Sequence, residues 1–111
     1  MAGLPNAGTP VVVDERHAGA RVDVHTGDVV TVRLHENPTT GYRWAVDGAD
    51  GLRLESDRNT PSGTAPGAAG IRELGFRASV PGDHVLRLKQ WRDWQGEQSV
   101  IGRYRIDVHV D

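Results

Sequence analysis

The chain is predicted to be all-β, an antiparallel sandwich of about seven or eight short strands. Three observations predict it. Apolar residues alternate with polar ones at period 2 in at least four segments, most clearly in residues 28–35, 73–80, 84–90 and 100–110. Gly, Pro and Asp clusters separate those segments. No window carries the apolar stripe of an amphipathic helix.

Residues 1–10 include Gly3, Pro5, Gly8 and Pro10 and read as a flexible tail ahead of one domain spanning 11–111. A first strand is expected at 11–13 and, after the break at Gly19, a short one at 22–24. Over residues 28–35, Val30, Val32 and Leu34 fall on one face, and Thr31, Arg33 and His35 on the other. A strand is expected at 43–46 and a turn at 47–51. Leu52 and Leu54 then alternate with Arg53 and Glu55. Residues 59–70 hold two Pro and three Gly without apolar periodicity, which predicts a long loop. Leu74, Phe76, Ala78 and Val80 alternate with Glu73, Arg77 and Ser79, and a turn at 81–83 leads into Leu86 and Leu88 opposite Arg87 and Lys89. Residues 90–96 reverse the chain. The final strand, 100–110, aligns Tyr104, Ile106, Val108 and Val110.

At 111 residues the chain is long enough to bury a core without metals or disulfides. It has no cysteine, hence no thiol nucleophile and no thiolate metal site. Its five histidines form no pair at metal-ligand spacing, and Ser62 lies in the long loop without a nucleophile-elbow setting, so neither an enzyme nor a cofactor is expected. A net charge of −2 and a pI near 6.2 offer no general attraction to nucleic acid or anionic lipid. No apolar run is long enough to span a membrane, and the first ten residues have no basic region followed by an apolar core. The compartment stays open between the cytoplasm and export with later removal of a leader.

The most specific motif is Asn37-Pro38-Thr39-Thr40-Gly41-Tyr42, between two predicted strands. Pro38 fixes φ, Asn37 can bond its own backbone, and Gly41 permits a φ that a β-carbon disfavours. The two threonines are thereby presented at a loop tip. A second candidate, Gly67-Ala68-Ala69-Gly70, is small enough for close backbone approach to another surface. A third, residues 90–96, places Trp91, Arg92 and Trp94 in a polar reversal. Trp and Arg dominate binding hot spots, and Trp94 falls at the tip, whereas Trp91 ends a strand and is expected to pack along the sheet.

The hexapeptide resembles the signature loop of the chagasin-type inhibitors of papain-like cysteine peptidases. The likeness covers about residues 28–110 and brings all three loops in the family's order. It implies an immunoglobulin-like β-sandwich, without cofactor and monomeric when free, whose partner is a papain-like cysteine peptidase. It also implies contact through Asn37 to Tyr42, Gly67 to Gly70, and Arg92, Asp93 and Trp94. By this resemblance Thr39 and Thr40 sit nearest the catalytic thiolate, and the inhibition is reversible and competitive. Residues 67–70 then follow the unprimed side, and Arg92 and Trp94 the primed side. Asp93 departs from the family's Arg-Pro-Trp, freeing a φ that proline would fix.

Other readings use the same residues. An immunoglobulin-like adhesion module, or a carbohydrate- or protein-binding module without inhibitory activity, would also expose Trp94, because fold alone assigns no function. Arg87, Lys89, Trp91, Arg92 and Trp94 mix charge and aromatics as single-strand nucleic-acid binders do, but Asp93 and Glu97 interrupt the patch.

Overall fold

Val30, Val32 and Leu34 are buried while Arg33 and His35 are exposed, so the alternation seen in the sequence is the pleat of a strand with one face in a core. A computed structural model of the chain describes residues 10–61 and 70–111. The expected tail therefore lies outside the described residues except for Pro10, which opens the first strand. Gly67, Ala68 and Ala69 also lie outside them.

Eight strands are described: β1 (Pro10–Asp14), β2 (Arg21–Val24), β3 (Val29–Glu36), β4 (Arg43–Gly48), β5 (Leu52–Pro61), β6 (Gly70–Ala78), β7 (Gly82–Trp91) and β8 (Gly102–Val110). They form two four-stranded sheets, ordered β1-β3-β6-β5 and β2-β8-β7-β4. The central pairings are antiparallel, whereas β1 on β3 and β2 on β8 run parallel. The inner faces meet through Val30, Val32, Leu34, Leu74 and Phe76 of one sheet and Leu86, Leu88, Tyr104, Ile106 and Val108 of the other. This is the immunoglobulin-like sandwich that was expected, and its only helical segments among the described residues are three-residue 3-10 turns.

Four local expectations need correction. Residues 59–61 and Gly70 are not loop: Asn59, Thr60 and Pro61 pair with Arg72, Ile71 and Gly70. Apolar periodicity fails there because cross-strand polar bonds, Arg58 to Glu73 and Arg72 to Asp57, join the strands instead. Pro61 is tolerated because β5 is an edge strand. Leu54 does not share Leu52's burial. It sits on that edge beside a register shift between Leu54 and Ser56, and it is exposed. Val80 falls past the end of β6 and is exposed, and β8 starts at Gly102, after two 3-10 turns have filled the reversal.

The register places the loops. Glu36, Gly70 and Pro61 align across β3, β6 and β5, while Arg43 aligns with Trp91 across β4 and β7. The stems of 37–42, 62–69 and 92–101 therefore emerge at one end of the sandwich.

Candidate peptidase-binding loops

Asn37 folds the first loop. Its Oδ1 accepts the Thr39 amide N–H at 3.0 Å and the Thr39 hydroxyl at 2.7 Å, and its carbonyl accepts the Thr40 hydroxyl at 2.9 Å. Residues Pro38–Thr40 form a 3-10 turn, with proline at its first position, where no backbone donor is needed. Gly41 follows at φ +78°, in the left-handed region. Thr39 and Thr40 are exposed with their hydroxyls tied back to Asn37, so this tip is rigid and has spent those donors internally.

The third loop is built as firmly. Ser99 is buried beneath it: its Oγ accepts the Arg92 amide N–H at 3.0 Å and contacts the Arg92 and Gly96 carbonyls at 2.9 and 2.6 Å. Two 3-10 turns, Asp93–Gln95 and Glu97–Ser99, shape the reversal between β7 and β8. Below it, Glu97 accepts from Lys89 Nζ at 2.9 Å and from Arg103 Nη2 at 2.6 Å. These two donors hold the Glu97 carboxyl below its ordinary value of 4.5. A group whose folded value is depressed contributes stability above its unfolded value and loses it as pH falls through the folded one. The loop's anchor should therefore persist from neutral pH down to 4.5, and a side-chain NMR titration of Glu97 should show a midpoint below 4.5. A midpoint at or above that value would refute the anchor.

Arg92 joins the two loops. Its Nε and Nη2 both donate to the Thr40 carbonyl, at 3.1 and 3.0 Å, and its guanidinium stacks over the Tyr42 ring, 4.2 Å from the centroid. The expectation from the sequence was that Arg92 reaches outward to a partner; in the structure its fork is engaged on the neighbouring loop. Trp94 is 67% exposed, yet its ring overlies Gly41: a β-carbon added there would come 2.6 Å from Trp94 Cη2. Asp93 is exposed beside it. Trp91 is half-buried at the end of β7, with Lys89 Nζ 3.7 Å above its ring. Arg92, Asp93 and Trp94 therefore assemble with Asn37 to Tyr42. Gly70 stands apart as a buried stem position in β6, where an added β-carbon would meet the Asn59 side chain at 2.7 Å.

The profile of the chagasin family of peptidase inhibitors matches residues 23–108. The chain belongs to that family. Its activity is accordingly peptidase inhibition, and it is not an enzyme. Chagasin from Trypanosoma cruzi is 27% identical over 101 residues, covering 85% of this chain and 92% of chagasin. Among solved structures, the cysteine protease inhibitor EhICP2 from Entamoeba histolytica superposes with a TM-score of 0.82 at 21% identity, over 92% of this chain and 96% of that one. PbICP-C, solved in complex with falcipain-2, does so with a TM-score of 0.60 at 13% identity, over 100% of this chain and 96% of that one. Among the described residues of this chagasin-family chain, no three His, Asp or Glu side chains converge on a metal-sized site.

Reading the sequence overlooked two residues that build the site. Ser99 gives no sequence signal, being one polar residue in a polar reversal. Glu36 does give one: it continues the inward phase of Val30, Val32 and Leu34.

Proposed function

We propose that this chain inhibits papain-like cysteine peptidases reversibly and competitively, by seating three loops across the catalytic cleft. One observation carries the reading. The Arg92 fork on the Thr40 carbonyl unites the hexapeptide tip with the loop that displays Trp94, so two contact elements form one preset surface. Residues 67–70 supply the third contact, along the unprimed side. PbICP-C, which shares the fold, is solved with falcipain-2.

Thr39 and Thr40 lie over the catalytic thiolate in this reading. The tip blocks substrate without being cut, because its backbone is a 3-10 turn closed by internal hydrogen bonds and not an extended peptide. Preset loops also cost less to bind: each rotamer-rich side chain left unfrozen until docking would cost about 0.5–1.5 kcal/mol. The expected result with papain is inhibition that rises with inhibitor, is relieved by substrate, and returns inhibitor of unchanged mass after long incubation with excess enzyme. Failure to inhibit any of several papain-like peptidases at micromolar inhibitor, or cleavage within residues 37–42, would defeat the proposal.

A further inference from the structure

Loop 37–42 is not a hairpin. Its stems belong to different sheets, β3 to one and β4 to the other, so no ladder of backbone hydrogen bonds sets their spacing. A buried carboxylate spans the gap instead. Glu36, 2% exposed, ends β3 and accepts the Trp44 amide N–H at 2.6 Å. The Trp44 indole N–H donates back to the His35 carbonyl at 3.0 Å. The same carboxylate takes Asn59 Nδ2 at 2.8 Å and Arg72 Nη1 at 3.0 and 3.1 Å. Asn59 lies on β5 and Arg72 on β6, and Arg72 is held in turn by Asp57. Glu36 therefore bonds to the far stem of the hexapeptide loop and to both strands that flank residues 62–69.

Burying a carboxylate is costly, and a buried ion pair often does no better for stability than apolar residues of the same volume. This one lies at the end of the sandwich from which the loops emerge, and its 2.6 Å bond closes a loop that the fold leaves open. We infer that Glu36 is a positioning residue for inhibition: its carboxylate fixes the distance between the stems of loop 37–42 and so holds Thr39, Thr40 and Tyr42 in the geometry that docks. The inference rests on the three-loop reading above.

Three variants separate positioning from general stability. Glu36→Gln keeps a carbonyl oxygen for the Trp44 amide. Glu36→Ala removes it. The double variant Glu36→Leu with Arg72→Leu removes it without leaving a buried charge unpaired, and covers the case in which Glu36→Ala does not fold. Val110→Ala, at the opposite end of the β7–β8 pair, serves as the control for lost stability. The inhibition constant should rise about 10- to 100-fold for Glu36→Ala and for the double variant, mainly through faster dissociation. It should stay within about threefold for Glu36→Gln and for Val110→Ala at temperatures where both are folded.

Unchanged inhibition by the double variant would overturn the inference. So would a loss in folded Glu36→Gln as large as in the double variant, or an equal loss in Val110→Ala. If the unmodified chain inhibits no peptidase, the three-loop reading falls and amide exchange in the free protein decides the role of Glu36. The Tyr42 and Trp44 amides of the double variant should then exchange about tenfold faster than in the unmodified chain, with Ile106 unchanged. Equal exchange would overturn it.

Discussion

Trp94→Ala should weaken inhibition of a papain-like peptidase by roughly 30-fold or more, the effect of losing about 2 kcal/mol at a binding hot spot. It should do so with little change in melting temperature. The ring is 67% exposed and lies over Gly41, so its truncation removes little core. Trp91→Ala should behave in the opposite way. Trp91 pairs with Arg43 across β7 and β4, lies half-buried, and carries Lys89 over its face. Losing it should lower the melting temperature, by about 4–8 °C for each kcal/mol of packing removed, and affect the inhibition constant less. Both quantities should be measured on both variants. If Trp91→Ala abolishes inhibition at an unchanged melting temperature while Trp94→Ala does not, the family's Arg-Pro-Trp must be matched to Lys89-Gln90-Trp91.

The contrast between these tryptophans was legible in the sequence because strand phase and loop position are local properties. Trp91 ends an alternating run, and Trp94 falls in the reversal after it. The core was legible for the same reason: Val30 to Leu34 and Tyr104 to Val110 alternate without interruption. What stayed hidden depends on contacts between distant segments. Arg92 carries a guanidinium that suits an outward contact as well as an inward one. Only the approach of Thr40, 52 positions away in the chain, decides for the inward contact. Ser99 is a polar residue among polar neighbours, and its burial follows from the path of the reversal. Leu54 looks like a core residue by alternation, but edge position and a register shift override the pattern. Glu36 was in phase with the buried face all along. A carboxylate there signals a buried partner set, because a charge in a core must be paired.

Gly41→Ala should be among the most damaging single-atom-scale changes to inhibition, though the substitution adds only a methyl group. Two effects act together. The residue sits at φ +78°, where an L side chain costs about 1–2 kcal/mol. The new β-carbon would also lie 2.6 Å from Trp94 Cη2, and the exposed ring would give way before the backbone did. The ring's displacement forfeits part of the hot-spot contact, so the two losses together come to about 3 kcal/mol, or roughly 100-fold in the inhibition constant. Because the ring displacement acts through Trp94, the losses from Gly41→Ala and Trp94→Ala should not add. In a Trp94→Ala background the displaced ring is already absent, and Gly41→Ala should cost only its backbone strain, about tenfold. A double-mutant cycle of inhibition constants measures this coupling directly. If Gly41→Ala inhibits within about threefold of the unmodified chain, or if the two losses simply add, then Gly41 and Trp94 do not form one preset contact surface. The orientation of the tryptophan would in that case be set only when the peptidase binds.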